Sequence, residues 1–121
     1  MNKEITGVRD LKYNNWHRTL GNNCYAWNLD WVEVRPAANG ELKIVAFIET
    51  AETTKFDSAC LTWKSGHVNI LNQLTKMTGI PSYVVYHDNT LSKFKRFDLQ
   101  NNTVEILDQD FYRIWLIKLG T

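Results

Sequence analysis

Asp30 and Glu49 are the residues whose types and spacing could do chemistry. They lie in two segments, Tyr25 to Arg35 and Glu41 to Ala51, that are rich in β-branched and aromatic residues and read as strands. Between the segments stands Asn39-Gly40, the pair favoured in a two-residue type I′ hairpin because both central residues need positive φ. That turn would set Val34 against Val45, Val32 against Phe47, Asp30 against Glu49 and Asn28 against Ala51. The opposite face would set Trp31 against Ile48, Leu29 against Thr50 and Glu33 against Ala46, which places the hairpin centrally in a sheet. Two carboxylates facing each other on an apolar surface repel and lose hydration. A shared Mg²⁺ or Mn²⁺ would offset both costs, since such ions bind through one or two carboxylates plus water and phosphate oxygens. The alternative is a longer loop that leaves both acids facing solvent at the strand ends.

Other reactive side chains are more dispersed. Cys24 and Cys60 have no partner at zinc-finger spacing and read as buried reduced thiols, and His17, His67 and His87 form no local metal motif. Lys93, Lys95 and Arg96, interleaved with Phe94 and Phe97, suit phosphate contacts and base stacking, or equally a lysine-guarded edge strand. Over 121 residues, fourteen basic residues against thirteen acidic ones leave a net charge of +1, so a nucleic-acid partner would need such a local patch. The composition, 44% hydrophobic with six Gly and two Pro, excludes collagen, low-complexity disorder and a disulfide scaffold. No apolar run approaches the roughly 20 residues of a bilayer span, and the first residues lack a signal-peptide pattern. The expectation is therefore one soluble cytoplasmic domain with no membrane association. Asn101-Asn102-Thr103 reads as a polar turn and not as a glycosylation site.

The elements that must position these residues follow from pattern. Val8 to Leu20 suggests a short helix before a Gly21-Asn22-Asn23 turn, and His67 to Thr78 a helix after Ser65-Gly66 with Ile70, Leu71, Leu74 and Met77 as its apolar stripe. Gly79-Ile80-Pro81 should stop that helix, and Tyr83 to Tyr86 is a short buried strand, giving a strand-helix-strand crossover of expected right hand. Lys93 to Leu99 and Thr103 to Leu107 form a second hairpin, and Asp108 caps a closing helix to Leu119 with Phe111, Ile114, Trp115 and Leu119 in register. The sum is an α/β (α+β) arrangement, a mixed sheet flanked by helices.

Asp30, the apolar strand Ile44-Val45-Ala46-Phe47-Ile48, then Glu49-Thr50-Ala51 and a helix resemble the PD-(D/E)XK superfamily, the restriction-endonuclease-like nucleases. Tyr13-Asn14-Asn15-Trp16-His17-Arg18, Asn23-Cys24-Tyr25-Ala26 and Leu29-Asp30-Trp31-Val32-Glu33 look like a small archaeal and phage-type subgroup of it, and the resemblance runs from Tyr13 to Tyr86. It implies a metal-dependent nuclease acting on DNA, or on RNA, with Asp30 and Glu49 as ligands of Mg²⁺ or Mn²⁺. It also implies His17 approaching that metal, a polar site residue at Gln73 and, as often in the superfamily, a homodimer.

The family's lysine would fall at Ala51, where a methyl group can neither orient water nor offset charge in the transition state. Three explanations stay open: a migrated cation (Lys64, or Lys55 in the loop), a catalytically silent scaffold that binds nucleic acid or protein, and a deliberate replacement of the lysine. Glu33, on the other strand face from Asp30, is expected to partner Arg35 or Arg18. A small structural protein of a virus or mobile element is a further reading.

Overall fold

Apolar residues on both faces of its central strands give the chain a sheet that must be covered twice, once on each side. The computed structural model describes residues 10–121. Its elements are α1 (Leu11–His17), β1 (Trp31–Pro36), β2 (Leu42–Glu52), α2 (Ser65–Thr78), β3 (Ser82–His87), β4 (Lys93–Asp98), β5 (Thr103–Asp108) and α3 (Gln109–Lys118). Short 3₁₀ turns lie at Arg18–Leu20, Phe56–Ser58 and Leu61–Lys64. One five-stranded sheet runs in the order β1-β2-β3-β4-β5. β2 and β3 are parallel, joined by the α2 crossover, and the other neighbours are antiparallel. The fold is mixed α+β, as the sequence led us to expect.

Alternation along the strands divides the interior in two. Phe47, Val84, Tyr86, Leu71 and Ala59 form the core beneath α2, joined by Val68, Leu74 and Ala51. Ile48, Tyr83, Val85 and Phe94 form the core on the other face, against Tyr112, Trp115 and Leu116 of α3. Asp108 caps α3 as expected, accepting from the Phe111 N–H at 2.9 Å. Gly79 ends α2, its N–H donating to the Thr75 carbonyl at 2.8 Å.

The first hairpin departs from expectation at its turn. Gly40 has φ of 84° while Asn39 stays on the negative side, and Gly40 N–H donates to the Ala37 carbonyl at 3.0 Å. This turn is one residue longer than type I′, and Asn39 instead accepts from the Glu41 N–H at 3.0 Å. Val34 consequently faces Ile44 rather than Val45. A bulge between Glu33 and Val34 then absorbs the extra residue, so Glu33 faces Ala46, Trp31 faces Ile48 and Val32 faces Phe47, as predicted. The same bulge turns consecutive Val45 and Ala46 into one core.

Several local expectations are corrected. β1 begins only at Trp31, so the stretch from Tyr25 lies outside the strand, and β1 is a sheet edge, not a central strand. Among the described residues the first helix covers Leu11–His17, and the expected start at Val8 lies outside them. Met77, placed in the apolar stripe of α2, is exposed, as are Phe111 and Ile114 of α3, whose core face is set by Tyr112, Trp115 and Leu116. Cys24 is an exposed free thiol, and Cys60 is half-buried. Glu33 does pair with Arg35, at 3.0 Å.

Candidate functional site

Glu49 sits where no carboxylate is comfortable. It shares a face of β2 with Phe47 and Ala51, against α2, and is 3% exposed. Asp30, immediately before β1, is exposed, and its Oδ2 accepts from the Thr50 N–H at 3.1 Å. That bond ties the Asp30 carboxylate beside Glu49, across the edge of the sheet. Trp31, on the opposite face, donates from Nε1 to the Thr50 hydroxyl at 3.2 Å and braces the same junction.

The crossover supplies a cation and an imidazole. A parallel strand-helix-strand unit brings the helix start beside the carboxyl-terminal half of its first strand, where ligand sites of α/β sheets collect. Here Lys64, at the end of a 3₁₀ turn, places Nζ 3.9 Å from Glu49 Oε1, and His67, in the first turn of α2, places Nε2 at 3.4 Å from the same oxygen. Glu49 Oε2 is buried without a hydrogen-bond partner. Burial, with the Asp30 carboxylate beside it, pushes the Glu49 carboxyl up to about 7, against a smaller opposing pull from Lys64. Burial, and then the Lys64 charge, hold the His67 imidazole below its ordinary value, so at neutral pH it is a neutral base.

Trp27 closes the site from the chain that precedes β1. Its ring stands edge-on to His67, with centroids 4.7 Å apart at 83°. A Cβ at Gly66 would lie 2.3 Å from that ring, so the glycine is what lets the indole approach the start of α2.

Of the residues singled out in the sequence, the structure brings together Asp30, Glu49 and Lys64. Ala51 packs its methyl group in the core under α2, paired with Tyr86 across the sheet. Lys55 lies exposed in the connection after β2, so Lys64 is the candidate cation that reaches Glu49. Gln73 is corrected outward: it projects from the solvent face of α2, bonded to Asn69 at 3.2 Å. His17 ends α1, tilted against Tyr13 at 6.3 Å, and makes no ion pair with either acid. The basic cluster on β4 is split by strand alternation. Lys95 points to the α2 side, where Nζ donates to the Asp57 carbonyl at 3.0 Å and lies 5.8 Å from the Phe97 ring. Lys93 is exposed at the start of the strand. Arg96 points the other way, stacked 4.4 Å over Trp115 and paired with Glu105 at 3.4 Å.

His67 and Trp27 are the site residues that sequence reasoning missed. The available signal was topological, since a crossover helix starting at Ser65 must begin near the end of the strand that carries Glu49. Among the described residues no three His, Cys, Asp or Glu side chains form a ready-made metal cage, so any ion would rest on the two carboxylates. No helix among the described residues is long and apolar enough to cross a membrane. Comparison with known proteins finds no matching family model, curated protein or solved structure.

Proposed function

We propose that the α2 face of the sheet hydrolyses phosphodiester bonds of nucleic acid, with Asp30 and Glu49 holding a divalent cation. The observation that carries this reading is the buried, unpartnered Oε2 of Glu49 beside a second carboxylate. An orphaned acceptor of this kind ordinarily costs about 1–3 kcal/mol, more when charged, and a bound cation would offset that cost. The donor set fits Mg²⁺ or Mn²⁺, which take oxygen ligands and need only one or two carboxylates alongside water and phosphate. Such an ion would lower the pKa of bound water and offset charge on the phosphate.

The chain's own residues supply the rest. Lys64 brings a positive charge to the acids from the helix start, which answers the vacancy at Ala51: a cation near the reacting phosphoryl group, arriving from a different segment. His67 Nε2, neutral at pH 7, can accept a proton at the same place. Glu49, half of its carboxylate already committed to these two groups, orients both.

The test is cleavage of labelled single- and double-stranded DNA, and of RNA, in Mn²⁺ and in EDTA. The parent should cut only with metal. Glu49→Ala and Lys64→Ala should each lose about 10²–10³ in rate while remaining folded. A second reading, binding without cleavage, is favoured by Ala51 and by the Lys64–Glu49 pair, which neutralises the acid without metal. Binding with no cleavage in any metal, together with no Mn²⁺-dependent rise in Tm, would establish it instead.

A further inference from the structure

Two indole rings flank the acidic pair, and neither is used in the chemistry described above. Trp27 is 49% exposed and Trp63 47% exposed. Each is fixed by a perpendicular aromatic contact: Trp27 on His67, and Trp63 on Tyr86 at 5.7 Å and 85°. Tyr86 is itself anchored, its hydroxyl donating to the Cys60 carbonyl at 2.7 Å. The strand order sets these groups in a line across the α2 face. Trp27 and Asp30 precede β1, Glu49 is on β2, Tyr86 under Trp63 is on β3, and Lys95 is on β4. Neighbouring strands are about 4.8 Å apart, so the line spans about 14 Å. Lys64 follows Trp63 directly in the chain and its Nζ reaches Glu49, the same carboxylate that meets His67, on which Trp27 rests.

Anchored, half-exposed rings with a cation beside them are the parts of a single-strand stacking platform, where bases lie on aromatic faces and phosphates meet positive charge. A duplex cannot use them, because its base faces are already stacked and only the edges show in the grooves. A protein partner fits less well, since the groups beside these rings are His67, Glu49 and Lys64 rather than a continuous apolar surface. We propose that the strand bound at this site is unpaired nucleic acid, with one base stacked on Trp27, another on Trp63, and the phosphate between them led over Lys64 to the Asp30–Glu49 pair. This rests on the proposed nuclease reading for its chemistry, although the binding does not need cleavage.

The experiment measures affinity of the full chain, in EDTA, for a short oligothymidylate and for a hairpin duplex, by fluorescence anisotropy. The single strand should bind more tightly than the duplex. Trp27→Leu and Trp63→Leu should each weaken single-strand binding roughly 5- to 100-fold, and Trp27→Phe and Trp63→Phe should recover part of it. Duplex affinity should not change. Gly66→Ala, which crowds the Trp27 ring and leaves the indole in the chain, should mimic Trp27→Leu and serves where the leucine variant folds poorly. Equal affinity for the two forms, no binding of the single strand, or folded leucine variants that bind like the parent would each overturn the inference. Metal-dependent cutting of duplex with no single-strand preference would overturn it while leaving the nuclease reading intact. Tight, stacking-dependent binding with no cutting in Mn²⁺ would do the reverse.

Discussion

The two faces of the sheet treat buried charge in opposite ways. On the α3 side, Phe94 stacks flat on Tyr112 at 4.0 Å, Tyr83 meets Trp115 edge-on, and the guanidinium laid over Trp115, that of Arg96, is met by an aromatic ring and a carboxylate. Its Nε lacks a partner, but the charge itself is neutralised by a group of opposite sign. On the α2 side, Glu49 is buried next to a group of its own sign, and Lys64 at 3.9 Å and the His67 imidazole at 3.4 Å leave one oxygen unpaired. The first face is organised for packing, and its side chains complete one another. The second keeps an unfinished set of oxygens, as a site for an ion or a phosphate must.

If that contrast is right, the largest stability loss belongs to the α3 side. Phe94 is buried between the sheet and Tyr112, and Phe94→Ala should cost about 3–5 kcal/mol in denaturant unfolding. A loss below about 1 kcal/mol would show that the stack is peripheral, and the two faces would no longer differ in kind.

Next in size is Glu49, where the expected sign is unusual for a carboxylate. Its folded-state pKa of about 7 lies above the model-compound value of 4.5, so between those pH values the folded chain holds the extra proton. Stability should fall as pH rises through that window and level off above it, by about 3 kcal/mol in all. The lowered pKa of His67 acts the other way below 6.5, since the unfolded imidazole then binds more protons. Comparison of the parent with Glu49→Gln isolates the carboxylate. The variant should match the parent below the window and exceed it by about 3 kcal/mol above it. Millimolar Mn²⁺ should stabilise the parent there and leave Glu49→Gln unchanged. A parent as stable above the window as below it would mean that Lys64 and His67 already satisfy the acid, and the unfinished face would be finished after all.

Part of this contrast was legible in the sequence. The strand-helix-strand unit, the β4–β5 hairpin, the Asp108 cap and the pairing of Val32 with Phe47 all follow from local pattern. The pairing held although the turn did not, because the bulge at Val34 cancels the longer loop at Gly40. A compensation of this kind, between a turn and a bulge further along the hairpin, cannot be read from a turn dipeptide. The opposite orientations of Lys95 and Arg96 are plain alternation and were available from the start. Gln73 was placed at the site by likeness, while the helix phase that buries Leu71 and Leu74 turns it to solvent beside Asn69. His67 and Trp27 could not be paired by spacing, since only the crossover brings the helix start to Glu49 and the chain before β1 to the helix start.

The smallest expected effect on stability sharpens the comparison most. Gly66→Ala puts a methyl group 2.3 Å from the Trp27 ring, so the indole must move. Because that ring is half exposed, its departure uncovers little apolar area, and alanine gains helix propensity worth up to about 1 kcal/mol over glycine. The net change should stay within about 1 kcal/mol of the parent in denaturant unfolding, with a red shift in the Trp27 emission isolated by difference against Trp27→Phe. A methyl group of the same size forced into the Phe94–Tyr112 side would not be absorbed so cheaply, since overpacking a filled core typically costs about 1–3 kcal/mol. If Gly66→Ala instead destabilises the chain by several kcal/mol, Trp27 is a structural wedge that holds the start of α2 to the sheet. The face that carries Glu49 would then be closed by packing, as the other is, and the rings around it would not be free to receive a base.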